Sequence, residues 1–288
     1  MNRFTALILL FSCCCITSLH AQSPFQNPNQ PHCASDEWQQ QMAAQHPDFA
    51  KELEKYFAEA VPQLAQAEKT LEPLLTISVV VHIIHNGEPV GQGQNLSDEQ
   101  VMAQIAILNE DYAALNPQFY NTPSQWAGAA AVPNIQFCLA SVDPDGNPTN
   151  GIDRQNMQVT GSSWSNNNIN SEIKPAINWD PSRYMNVYVL PIPGTTAAGG
   201  VVGFANYPTP SLVGAATDGI VIDYRWFGAP GYSASGYRPL THEVGHYLGV
   251  PHPFQGNSCN SDDGISDTED NCPLVPNPWF EGNPFSWS

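Results

Sequence analysis

Positive charge is scarce in this 288-residue chain: 9 Lys and Arg stand against 27 Asp and Glu, a formal net charge of −18. Nucleic acid and anionic bilayers repel such a chain at long range, which excludes both as charge-driven partners. Charge of either sign is scarce, 12% of residues against the roughly 25% usual in globular chains, while 42% are hydrophobic. With 7 Trp, 10 Tyr and 12 Phe in that apolar share, the chain builds a core and is not disordered throughout. Beyond residue 20 there is no long uninterrupted apolar run, so a multi-span membrane protein is excluded. Methionine is sparse as well: Met1, Met42, Met102, Met157 and Met185, with none further on.

The N-terminus reads as an export signal. Arg3 supplies a positive start, Phe4 to Ile16 an apolar stretch too short for a comfortable membrane span, and Leu19-His20-Ala21 a small-residue exit before Gln22. Leu10-Phe11-Ser12-Cys13 offers a second reading, a lipoprotein box with a lipid anchor at Cys13. Export leaves Cys33, Cys138, Cys259 and Cys272, which can oxidise outside the cytosol. Cys259 and Cys272, 13 positions apart in a Gly/Asp/Asn-rich loop, are expected to form a local disulfide. Cys33 and Cys138 sit in surroundings too different for a pairing to be assigned.

Residues 22–34 are polar and Pro-rich and read as a flexible lead. Residues 35–70 carry helical spacing through Trp38, Met42, Phe49, Leu53, Phe57, Ala60 and Leu64, and a shift in composition marks a boundary near 71–75. From Thr76 strands alternate with helices, which argues for a mixed α/β layer. SVVVHIIH (78–85), NIQFCLASV (134–142), MNVYVLPI (185–192) and GIVIDYRWF (219–227) read as strands. Helices are expected from Ser97, capped with Gln100 three residues on, near 170–178, and over 237–248. Val101, Ile105, Leu108, Tyr112 and Leu115 make the apolar face of the first of these. His82 and His85, three apart on a strand, point to opposite faces and read as structural. Asp143-Pro144-Asp145-Gly146 reads as a turn, because Arg154 stands where a calcium loop needs glutamate.

The chemistry is concentrated in Thr241-His242-Glu243-Val244-Gly245-His246-Tyr247-Leu248-Gly249-Val250-Pro251-His252. On a helix His242 and His246 lie one turn apart on one face and can share a Zn²⁺. Glu243 is rotated about 100° from His242, which places a carboxylate beside the metal as a base rather than a ligand. Gly249 suits the left-handed end of a helix, Pro251 stops it resuming, and the chain can return to deliver His252 as third ligand. Three protein nitrogens leave a fourth position for water, the open arrangement of a catalytic zinc.

That H-E-x-x-H-x-x-G-x-x-H pattern is the metzincin signature. With SVVVHIIHNG, ILNEDY, FCLASVDPDGNPTNGIDR, GIVIDYRWFG and DDGISDT, the chain resembles the pappalysin family, which includes ulilysin-like secreted bacterial peptidases. The resemblance covers about residues 76–270. It implies an α/β (α+β) metzincin-type catalytic domain: a mixed twisted sheet with a backing helix and an active-site helix, preceded by a mainly helical prosegment. The divisions it implies are signal peptide 1–21, propeptide 22–75 and catalytic domain 76–288. It further implies zinc-dependent hydrolysis of protein or peptide substrates outside the cell, with Glu243 as general base in an enzyme made latent. By the same resemblance Cys33 would occupy the open zinc position as a cysteine switch, against a disulfide with Cys138 or an idle thiol. Gly199, Gly200 and Gly203 in TTAAGGVVGFANYP precede a segment that by the resemblance would be the upper rim of the cleft, where an extended peptide pairs antiparallel with an edge strand; the alternative for these glycines is an ordinary loop.

The resemblance also assigns calcium to Asp263, Ser266 and Thr268, whereas a likeness of the following residues to a thrombospondin type 3 repeat favours Asp263, Asp267 and Asp270. Metzincins carry a methionine turn after the third histidine, and here no methionine follows His252. The chain therefore reads as cut short, with its C-terminal subdomain incomplete. The alternative is an inactive secreted calcium- and zinc-stabilised binding or adhesion module with a degraded protease fold.

Overall fold

The computed structural model describes residues 31–61, 63, 73–117, 119–122, 132–157, 168–196, 200–228 and 238–252. The N-terminal part comprises β1 (Pro31–Cys33), α1 (Ser35–Gln45) and α2 (Pro47–Lys55), the last loosening into a π-helical turn at Tyr56–Ala60. There follow β2 (Leu75–His85), α3 (Asp98–Tyr112), β3 (Ile135–Leu139) and β4 (Ile152–Asn156). A π-helical turn at Ile169–Ile173 runs into α4 (Lys174–Ile177), and then come β5 (Met185–Leu190), β6 (Gly200–Ala205), β7 (Ile220–Asp223) and α5 (Pro239–Tyr247).

The strands form one mixed sheet ordered β1-β6-β7-β5-β2-β3, with β4 also paired to β2. Among the described strands only β6 and β7 are antiparallel neighbours; every other pair is parallel. β2 and β5 read as near-continuous apolar runs because both faces of the central sheet are covered. On one face Val79, Val81, Ile83, Val187, Val189 and Ile222 pack against Val101 and Leu108 of α3 and Leu240 and Val244 of α5. On the other, Ile84, Tyr188, Leu190, Phe204 and Val221 meet Ile169 and Ile173, together with Ala34 and Trp38 from the N-terminal part.

Several expectations shift in detail. α3 starts at its cap, with Ser97 Oγ accepting the Gln100 N–H at 3.2 Å, but it ends at Tyr112. Leu115 lies beyond that end, past Ala114 in the left-handed region, and is exposed. The expected 35–70 helix breaks before Pro47, whose ring suits a helix start and not an interior. The strand expected over 219–227 stops at Asp223, whose carboxylate accepts the Arg225 N–H and turns the chain into a 3₁₀ turn. The flexible lead is corrected for Pro31–Cys33: these residues pair in parallel with β6, and Ala34 N–H donates to the Gly203 carbonyl at 3.1 Å. Three residues carry no periodicity, so the free edge of β6, not a local pattern, makes them a strand.

His85 Nδ1 accepts the Gly87 N–H at 3.1 Å. His82 is held between Asp153 and Asn186, each at 2.8 Å, and stacks on Tyr188. Asp143 closes its turn by accepting the N–H groups of Asp145 and Asn147.

Beneath the sheet Lys174 is wholly buried, donating to the carbonyls of Thr217 (3.1 Å) and Gly219 (3.2 Å) beside the Tyr188 and Phe204 rings. Burial pushes its pKa down to about 7, against a smaller upward pull from Asp218. An unfolded lysine keeps its proton to about 10.5, so between these limits the unfolded chain binds the extra proton. Stability therefore rises with pH across this window, by up to roughly 1.4 kcal/mol per pH unit. Lys174→Met is expected to remove that slope. Urea unfolding of both proteins from pH 7 to 10 checks this, and parallel pH profiles would contradict it.

Candidate active site

α5 buries Leu240 and Val244 in the core and turns His242 and His246 the other way. Its first turn is tied to α3, with Thr241 Oγ1 donating to Asp111 at 2.6 Å and Arg238 paired with the same carboxylate. Its last turn closes as a Schellman motif. Gly249, at φ +104°, donates to the His246 carbonyl, and Val250 donates to that of Gly245, both at 2.9 Å. This left-handed turn swings the chain back and delivers His252. A side chain at position 249 would be strained and would also strike the Tyr56 hydroxyl.

The three histidines converge. Their Nε2 atoms lie 2.9 Å (His242–His246), 3.1 Å (His242–His252) and 3.0 Å (His246–His252) apart. His246 donates from Nδ1 to the Val250 carbonyl at 2.7 Å, which leaves its Nε2 lone pair facing inward. Burial pushes His242 well below the usual imidazole range and His246 down to about 3, neighbouring imidazoles adding to both. These rings are neutral donors at physiological pH. Three imidazole nitrogens at such spacing repel one another unless a cation lies among them, and neutral nitrogen donors suit zinc.

Cys33 completes the group: its Sγ and the three imidazoles offer ligand atoms all within 4.8 Å of one another. Cys33 and Cys138 are both free, so no bridge joins them. Burial, and next the Glu243 charge, pushes the Cys33 thiol well above its usual range, so it ionises there only against a cation. Glu243 is completely buried; its Oε2 accepts from the Ser35 hydroxyl at 3.0 Å and from the Cys33 thiol at 3.4 Å. Burial raises its carboxyl to about 7, with those two donors pulling it back.

The edge on which an extended peptide was expected to pair is β6, and there its outer side carries β1 in the parallel sense. Gly203 makes room at this point. A Cβ there would lie 2.8 Å from Ile222, 2.9 Å from the Val221 carbonyl and 3.0 Å from Glu243 Cγ. Gly203→Ala is thus expected to cost about 1–3 kcal/mol and to displace Glu243. Thermal unfolding together with peptide hydrolysis would check both effects; an unchanged melting temperature with parental turnover would contradict them.

Residues flanking Cys33 carry contacts that spacing does not reveal. The Ser35 hydroxyl also accepts the Ala205 N–H at 2.9 Å. Asp36 reaches His252 and Tyr207, Trp38 donates to Asn206, and Tyr56 donates to the Gly249 carbonyl. The one hint in the sequence is that Ser35 and Asp36 lie two and three positions after Cys33. Asp263, Ser266, Thr268, Cys259, Cys272, Gly199 and Cys13 lie outside the described residues.

Fold and site together define a metzincin-type metallopeptidase. The family model for peptidase M43, described as pregnancy-associated plasma protein-A, matches residues 167–275. Among solved structures, a Tannerella forsythia promirolysin mutant is 30% identical, with TM-score 0.65, over 82% of this chain and 75% of that one. Mature mirolysin of the same organism, in complex with a cleaved peptide, is 34% identical, with TM-score 0.57, over 68% of this chain and 72% of that one. An extracellular metalloprotease of Verticillium alfalfae is 25% identical over 78% of this chain and 67% of its own length. One of Colletotrichum graminicola is 26% identical over 67% of this chain and 57% of its own. The chain thus spans about two thirds or less of these fungal relatives' length. The chain belongs to the pappalysin family.

Proposed function

We propose that this chain is the latent precursor of an exported zinc endopeptidase, with residues 1–21 as signal, 22–75 as propeptide and 76–288 as the peptidase domain. The observation that carries the reading is the convergence of the His242, His246 and His252 Nε2 atoms with the Glu243 carboxylate buried beside them. Zinc held by the three imidazoles would supply Lewis acidity toward a water and toward a scissile carbonyl. Glu243 accepts a proton as the water attacks and returns it to the leaving amine. Its Oε1 has no hydrogen-bond partner among the described residues, so one oxygen is available for that transfer. An extended protein or peptide substrate lies along β6 in the antiparallel sense once β1 departs, held by main-chain hydrogen bonds.

Latency falls to Cys33, whose thiol sits where a fourth ligand would. Two comparisons support a removable N-terminal part and export: promirolysin is matched over more of this chain than mature mirolysin, and the fungal relatives are named extracellular. No helix among the described residues is long and apolar enough to cross a membrane. A structural calcium at Asp263, Ser266 and Thr268 and a Cys259–Cys272 disulfide complete the reading. The intact, buried Glu243 favours an enzyme over an inactive binding module.

Casein hydrolysis by the processed protein is expected to vanish with a strong chelator and to return on adding zinc, alongside one zinc per chain by metal analysis. Hydrolysis that survives a chelator able to strip the metal, or a zinc-loaded processed protein inert toward casein and unstructured peptides, would overturn it.

A further inference from the structure

The N-terminal part reaches the imidazole cluster at a second place besides Cys33. Asp36 Oδ2 lies 2.9 Å from His252 Nδ1, and its other oxygen accepts the Tyr207 hydroxyl at 3.0 Å. Asp36 is in the first turn of α1, directly after β1, so the backbone that seats Cys33 also seats this carboxylate. Its neighbour Ser35 is pinned by Ala205 and Glu243, and Tyr207 holds Asp36 from the peptidase side. His252 stands beyond the end of α5, on chain that no helix fixes. With its Nδ1–H donated to Asp36, His252 presents the Nε2 lone pair to the other two rings. His246 receives the equivalent contact from the Val250 carbonyl, within the peptidase domain. His252 receives it from the segment that activation removes.

We propose that Asp36 is a positioning residue for the third metal ligand: the N-terminal part completes the outer shell of the zinc site while it blocks the open position. The precursor then holds zinc more tightly than the processed enzyme. This rests on the zinc-peptidase reading above. A carboxylate on the far nitrogen of a ligating histidine fixes its tautomer and raises its basicity, and loss of such a partner typically costs 10–100-fold in metal affinity.

The test follows zinc transfer from the full-length, unprocessed precursor to an excess of chromogenic chelator. Asp36→Ala is expected to speed release about 10–100-fold. Asp36→Asn, which still accepts the Nδ1 hydrogen, should speed it less. The Asp36→Ala effect should persist in a Cys33→Ser background, since it acts through His252; its disappearance there would mean that Asp36 only seats the thiol, and would overturn the inference. Circular dichroism verifies folding, and if the alanine variant fails to fold the asparagine variant decides: faster release upholds the inference and parental release overturns it. A zinc-loaded Asp36→Ala precursor that releases zinc at the parental rate sinks this inference alone. A parent that takes up no zinc sinks the peptidase reading with it.

Discussion

Glu243→Gln in the processed enzyme is expected to lower kcat/KM for peptide hydrolysis by two to four orders of magnitude while zinc stays at the parental level. The substitution keeps the side chain's size, so its packing beside Gly203 of β6 is preserved. What it removes is a group able to accept and return a proton. Metal is expected to be retained because the candidate ligand atoms left in the processed enzyme are the three imidazole nitrogens, not the Glu243 carboxylate. With the N-terminal part in place, burial raises the Glu243 carboxyl to about 7. Departure of Cys33 and Ser35 admits water and reverses the larger influence, burial, while withdrawing the smaller one, their hydrogen bonds. On the proposed processing the carboxyl is therefore expected to drop and to serve as a base over a wider pH range. Peptide kinetics and zinc analysis on the same sample check this; a glutamine variant within tenfold of the parent would remove Glu243 from the mechanism.

The convergence of the three histidines was legible because its information is local. His242, Glu243 and His246 need only the helical period to take their places, and Gly249 needs only its freedom at φ +104° to reverse the chain toward His252. β2, β5 and β7 were legible for a similar reason, since strands covered on both faces are written as apolar runs. β4, with the sequence IDRQN, has no such run; it is a strand because β2 offers it an edge from Val81 to His85. β1 depends in the same way on β6. The contact of Asp36 with His252 spans 216 positions, and nothing near Asp36 encodes its partner. Pairing edges and long-range polar contacts are set by the assembled sheet, and a one-dimensional pattern holds them only where a motif has already named both ends.

A Cys33→Ala precursor is expected to hydrolyse a short peptide without processing, at least about tenfold faster than the parent precursor. One lost thiol contact need weaken the block by only about 1.4 kcal/mol for that factor. The variant should remain well below the processed enzyme, because the thiol is one of several attachments. β1 still pairs with the edge of β6, Ser35 still donates to Glu243, and Gln39 still reaches the Ala205 carbonyl. Farther out, Trp38 is bonded to Asn206, Tyr56 to Gly249 and Glu52 to the Ser211 N–H. A substrate must displace β1 from the same hydrogen-bonding groups it needs for itself, so KM should be affected more than kcat. Fluorogenic peptide kinetics, with mass spectrometry confirming an uncut chain, separate the two parameters. A Cys33→Ala precursor as silent as its parent would transfer latency from the metal to the occupied edge of β6, and substitutions that unseat Trp38 or Tyr56 would then release activity where removal of the thiol does not.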